Sequence, residues 1–174
     1  MINLFWKLLA KLVSIPSVAN YLIERSKRTP YFDLEGYMER WWLFNPYQAD
    51  PVTGSRGNRK IRWLPAVRVH HILRADDARD LHDHPWNART IILKGWYAER
   101  RITALVHDSV VVQQYLRETG DTQSINFGEY HSIDGVSQGG VYTLFFTWDY
   151  VGMWGFLVDG VKVPWQQYVN GGKA

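Results

Sequence analysis

The chain has no cysteine in its 174 residues. Disulfides and thiolate ligands are therefore excluded, and any metal site has to be built from histidine, carboxylate, backbone oxygen or water. The same absence favours a cytoplasmic protein. Strong charge of either sign is also missing. Lys and Arg number 20 against 17 Asp and Glu, a net charge of +3, and the excess is scattered over the ends and one loop instead of forming a stripe. Such a distribution predicts no nucleic-acid partner. Long apolar runs are lacking too: Lys7 and Lys11 interrupt the N-terminal one, which is already too short to cross a bilayer. Neither a basic start nor a small-residue cleavage pattern marks a signal peptide. No P-loop or dinucleotide fingerprint occurs, and no internal repeat.

What is present is an apolar, aromatic chain, 46% hydrophobic with nine Trp, ten Tyr and seven Phe, enough for one domain with a substantial core. Between Met1 and Ser14 the polar residues Asn3, Lys7, Lys11 and Ser14 fall on one narrow stripe, which predicts an amphipathic helix. It can pack on its own domain or on a second copy, the preferred reading, or lie in a membrane interface with Lys7 and Lys11 towards the headgroups. Pro16 breaks it and opens a second short helix with Val18, Tyr21 and Leu22 on its apolar face. Thr29-Pro30 ends this helical appendage, residues 1–30, and residues 31–174 read as one β unit.

Tyr37 to Phe44 reads as an aromatic strand and Gln48 to Lys60 as an exposed loop. Ala66 to Arg74 alternates, with Val67, Val69, His71 and Leu73 on one face and Arg68, His70, Ile72 and Arg74 on the other. His71 is therefore expected to line the interior, as a core histidine or a ligand, and His70 to be exposed. A charged turn from Ala75 to Asp80 leads into Leu81-His82-Asp83-His84-Pro85-Trp86. Side chains at i and i+2 of a strand share a face, so the two imidazoles can converge on one point while Asp83 points away as a solvated turn residue. Thr90 to Arg100 and Ile102 to His107 look like a hairpin or meander. A further histidine, His131, follows Gly128, and Val141 to Trp148 is apolar on both faces, as if covered by core on one side and helices on the other. The tail reads as a hairpin turning at Asp159-Gly160.

Short strands with Gly-marked turns, and helices confined to the N-terminus, predict an all-β sandwich or barrel. On this background His82, His84 and Gly95, then Gly120, Gly128 and His131, fall on the spacing of two known motifs, with Asn126 and Gly135 standing where the second has Pro and Asn. In these features the chain resembles the cupin superfamily, over about Val67 to Trp148. The runs His82-Asp83-His84-Pro85-Trp86, Ile91-Ile92-Leu93-Lys94-Gly95-Trp96-Tyr97 and Trp154-Gly155-Phe156 are similar to those of small cupin-like proteins of phages and bacteria. The resemblance implies an all-β, cupin-type jelly-roll barrel (a double-stranded β-helix) with two short N-terminal helices. It implies further that His82, His84 and His131 converge to hold a divalent metal, Fe, Ni, Mn or Zn, and that the protein is a homodimer.

The first motif's Glu is missing; Ala88 or Arg89 stands in its place. Glu129, two residues before His131, and Asp80, two before His82, are candidate substitutes or supporting residues, as is His71. A divalent ion held by three neutral imidazoles keeps its full charge and attracts anionic or chelating ligands. Ala88, Thr90, Trp86 and Tyr130 are expected to line the pocket, where aromatic rings suit a small organic molecule. Three functions fit: a three-His metal-dependent oxygenase or isomerase, a small-molecule binding module without turnover, and a phage or host interaction protein working through the N-terminal helix.

Overall fold

The computed structural model describes residues 2–49, 56–106 and 109–171. Two helices come first, α1 (Ile2–Val13) and α2 (Pro16–Ser26), the second opening on a proline in its first turn, where the missing N–H breaks no helical hydrogen bond. The strands that follow are β1 (Met38–Phe44), β2 (Tyr47–Ala49), β3 (Arg56–Arg59), β4 (Ala66–Ile72), β5 (Trp86–Lys94) and β6 (Trp96–Val106). Then come β7 (Ser109–Glu118), β8 (Thr122–Ile125), β9 (His131–Val136), β10 (Val141–Tyr150), β11 (Gly155–Val158) and β12 (Val161–Pro164), and a short helix α3 (Trp165–Asn170).

One antiparallel sheet has the order β1-β4-β10-β5-β8 and a second the order β7-β6-β9. The hairpin of β11 and β12 joins the second sheet through a single residue, since His82 bridges His131 on one side and Phe156 on the other. Strand periodicity explains how the layers stack. Val67, Val69, Ile91, Leu93, Leu144 and Phe146 face outward and pack against Ala10, Val13, Ala19 and Ile23 of the helices. Ile72, Ile92 and Val141 face inward and meet Tyr97 and Ile133 of the second sheet. The result is the expected all-β jelly-roll barrel with helices on one outer face. β10 is apolar on both faces for the reason anticipated.

Two elements differ from expectation. Thr90 to Arg100 and Ile102 to His107 are not two paired strands: the first spans β5, which pairs with β10 and β8, and the start of β6, and the hairpin that forms is that of β6 with β7, β6 pairing with β9 on its other side. The chain crosses from one sheet to the other at Gly95, whose φ is +88° and whose added Cβ would lie 2.5 Å from Ser137 Oγ and 3.0 Å from Gly140 O. Within the predicted loop from Gln48 to Lys60, Ala49 pairs with Arg56 as part of β2 and β3, and residues 50–55 lie outside the described ones. His107 lies outside them as well. The terminal hairpin turns at Asp159 (φ +49°) and Gly160 (φ +79°), the left-handed pair of a type I′ turn, as the Asp-Gly dipeptide predicts.

Helix α1 packs on its own barrel. Trp6 and Leu9 turn towards the sheet, while Leu4, Phe5, Leu8 and Leu12 remain more than half exposed. No described helix is long and apolar enough to cross a membrane. The crossover supplies a stability test: Gly95→Ala forces a β-carbon into a left-handed residue against backbone, and should cost about 1–3 kcal/mol in a urea titration. Unchanged stability would contradict this geometry.

Candidate metal centre

His82 and His131 are brought together by backbone. His82 N donates to His131 O at 2.9 Å and His131 N donates to His82 O at 2.9 Å, the reciprocal pairing that sets two antiparallel residues opposite each other with side chains on one face. His84 shares that face by the two-residue period of extended chain. The ligand atoms of His82, His84 and His131 lie within 4.8 Å of one another, and His84 Nε2 stands 2.9 Å from His131 Nε2. His131 is buried, whereas His82 and His84 are half-buried and reachable from solvent.

Burial sets the protonation of this cluster. It pushes His82 down to about 4, helped by the neighbouring His131 and opposed by Asp76 and Asp83. It pushes His84 well below the usual imidazole value, with His131, His82, Arg68 and His70 adding to the effect. Both rings are therefore neutral at neutral pH, with lone pairs available to a metal.

Two carboxylates back the cluster. Asp76 Oδ2 lies 3.8 Å from His82 Nδ1, and Glu99 Oε2 lies 3.9 Å from His131 Nδ1. Asp76 is held by Tyr37 Oη and by the Ile133 amide, which donates to it at 2.8 Å. Glu99 is fully buried. It accepts from Gln123 Nε2 at 2.6 Å and pairs with Arg101 at 3.4 Å and Arg117 at 3.5 Å. Burial alone would raise its pKa; His131, Arg101 and Gln123 outweigh that and hold it below its ordinary value. The same arginines line a cleft of about 250 Å³ with Ile102, Thr103, Tyr115 and Glu129. At 3.8 and 3.9 Å the two carboxylates do not hydrogen-bond the rings but stand behind them as nearby negative charges. Three converging imidazoles, two of them held neutral by burial, fit a divalent ion of borderline softness.

Sequence reasoning missed both acids. Asp76 was hidden in a charged turn. Glu99 carried a usable signal, because it alternates with Tyr97 and Arg101 along β6 and so shares their inward face.

The other candidates fall in different places. Trp86 stands edge-on to His84 at 5.0 Å, and Ala88 is buried against Ile125 and Phe145. Thr90 is buried, opposite Phe145 and Gln123. Tyr130 is half-buried, its hydroxyl pushed up to about 12 by burial and the charge of Asp83. Glu129 is not with the imidazoles; it pairs with Arg101 at 2.8 Å and caps the Asn126 amide at 2.9 Å. Asp80 accepts from Tyr168 Oη at 2.9 Å and braces α3.

His71, expected inside, faces the outer layer, stacked 4.0 Å from Tyr142 and bonded to Glu39 at 2.8 Å and to Gly139 O at 2.9 Å. His70, expected outside, is buried in the barrel and stacked on Phe145 at 4.7 Å. The two are reversed because the apolar face of β4 is the one the helices cover. Asp83 is no solvated turn residue: it is fully buried, accepting from the Gly155 amide at 2.8 Å and pairing with Lys162 at 2.5 Å. Gly135-Val136-Ser137-Gln138-Gly139 spells G-x-S-x-G, but it ends a strand in a turn and Ser137 Oγ donates to Gly140 O at 2.7 Å, so it forms no nucleophile elbow.

No protein-family model matches this sequence, and no curated protein matches it. Solved structures do. Vicilin from Corylus avellana (hazelnut) matches with a TM-score of 0.52 at 9% identity, over 75% of this chain and 34% of its own. The fold is that of the cupins. Hydroxypropylphosphonic acid epoxidase from S. wedmorenis matches at a TM-score of 0.49 and 13% identity, over 71% of this chain and 56% of its own. The capsular polysaccharide assembling protein CapF from Staphylococcus aureus matches at 0.46 and 13%, over 68% of this chain and 28% of its own. The cupin barrel described here thus spans about a quarter to a half of the length of these proteins.

The pKa shifts predict how stability depends on pH. The folded His82 binds its proton more weakly than the unfolded one, so between 6.5 and about 4 the unfolded chain holds more protons. The stability of metal-free protein should be full above the unfolded value and fall as pH drops through this window, with His84 and His70 acting in the same direction. Melting temperatures measured from pH 8 to pH 4 check this; a flat profile would contradict the buried neutral cluster.

Proposed function

We propose that His82, His84 and His131 hold a divalent ion, Fe, Ni, Mn or Zn, and that the aromatic-walled barrel presents a small anionic molecule to it for oxygenation or isomerisation. The observation that supports this most is the convergence of three ligand nitrogens within 4.8 Å, next to two buried carboxylates. A divalent ion bound there would supply Lewis acidity and positions open to the substrate.

The chain's own residues do the rest. Asp76 and Glu99 place negative charge 3.8 Å from His82 and 3.9 Å from His131, where it favours a bound cation, and the ion pairs of Glu99 with Arg101 and Arg117 keep it anionic in a buried position. Trp86 and Phe145 form an apolar wall beside His84. Ala88 places a methyl group where the family motif has its anionic ligand, which leaves the centre without a built-in negative charge and favours an anionic guest.

Metal content measured on protein purified without a His tag and reconstituted with each of the four ions tests the reading. Wild type should bind one ion per chain. Alanine at His82, His84 or His131 should remove most of the binding with the fold retained by circular dichroism. Glu99→Gln should weaken metal affinity by about 10- to 100-fold without removing a ligand. Wild type that stays metal-free with all four ions would overturn the proposal.

A further inference from the structure

Helix α1 is apolar on both sides of its polar stripe, and the barrel covers only one of them. The stripe itself, Asn3, Lys7, Lys11 and Ser14, takes about a quarter of the circumference at 3.6 residues per turn. Trp6, Leu9, Ala10 and Val13 form the arc that packs into the layer between the helices and the five-stranded sheet. On the remaining arc Leu4 is 62% exposed, Phe5 58%, Leu8 63% and Leu12 56%, with Ile15 just past the helix end at 45%. At about 100° per residue these side chains fall within about 100° of one another. A helix that only packs on its own domain carries charge on the side away from the core. Here that side is a continuous apolar face, and the charge stands at its margin.

The margin chooses the occupant. Lys7 and Lys11 are exposed, stand one turn apart and border the apolar arc on its Leu4 edge. No acidic residue accompanies them in α1; the first in the chain is Glu24. In an antiparallel twofold pair of α1 helices the lysine margins of both copies fall on the same side of the contact, with no carboxylate of either helix between them. Like charges so placed repel, which disfavours a second copy. A layer of anionic headgroups complements the same pattern: the ammonium groups reach phosphates on their flexible stems, and the apolar arc sinks below them. No described helix is long and apolar enough to cross a bilayer, so the contact lies in the membrane plane.

We propose that the outer face of α1 is a docking surface for an anionic lipid bilayer, with Leu4, Phe5, Leu8 and Leu12 set into the boundary of the acyl chains and Lys7 and Lys11 on the headgroups. Docking leaves the barrel intact, because the residues that hold α1 to the sheet lie on a different arc from those that meet lipid. It is independent of the metal reading, which uses the inner face of the barrel.

The test floats the full-length protein on a density gradient with vesicles of equal parts phosphatidylcholine and phosphatidylglycerol, or of phosphatidylcholine alone. Wild type should float with the anionic vesicles, bind the neutral ones about tenfold or more weakly, and detach from the former as salt is raised. Leu8→Gln with Leu12→Gln, and separately Lys7→Glu with Lys11→Glu, should each weaken binding to anionic vesicles about tenfold or more. Glutamine and glutamate keep helix propensity and the four side chains are exposed, so melting temperatures should stay near that of wild type. Wild type that floats with neither vesicle, or equally with both, would overturn the proposal without any variant. Binding unchanged in both double variants would overturn it too, as would a solution dimer that the leucine variant dissolves, which would give the face to a second copy.

Discussion

The candidate site depends on one pair of hydrogen bonds, the reciprocal bridge between the backbones of His82 and His131. The two residues are far apart in sequence, and only strand pairing sets their imidazoles side by side. The bridge is a single residue wide, so its flanks have to be stiff. Leu81 O accepts from Leu157 N at 2.8 Å and Asp83 N donates to Gly155 O at 3.0 Å, which holds both neighbours of His82 against β11. The buried Asp83 carboxylate ties the same hairpin through Gly155 and Lys162. Asp83 thus separates the two histidines in sequence and secures them in space.

The interior this creates is unusually polar for a small barrel. Arg68, His70, Asp83, Glu99, Gln123, His131 and three threonines are all buried. Buried charge is costly unless paired, and here it is mostly arranged in pairs, Glu99 with Arg101 and Arg117, Asp83 with Lys162. The apolar packing that offsets this cost lies largely elsewhere, in the layer between the five-stranded sheet and the two helices. The N-terminal helices are in this sense part of the barrel's stability, freeing its inner face to carry chemistry. Polar interiors of this kind are where local rules give way to functional demand.

How much of this was legible follows from the range of each physical cause. The alternation of β4, the apolar character of both faces of β10, the H-x-H pair on one face, the Asp-Gly turn and the two helices are local consequences of strand period, turn geometry and proline, and the sequence displays them directly. The convergence of His131 with the pair was readable only through spacing shared with a known fold, because strand pairing across some fifty residues leaves no local trace.

What only the tertiary structure decided is which of two alternating faces is inside. In β4 the sequence presents an apolar face with His71 and a polar face with Arg68 and His70, and burial of apolar surface argues that the first is the interior. Both faces are buried in fact: helices α1 and α2 cover the apolar one from outside, and the polar one lines the barrel. Periodicity fixes the relative orientation of neighbouring side chains, since that is a property of a few consecutive dihedral angles. It carries no information about where a helix more than forty residues earlier docks, and that docking turned His71 outward and His70 inward, while the pairing of β6 with β9 and the hold of Asp76 on Ile133 made Glu99 and Asp76 neighbours of the imidazoles.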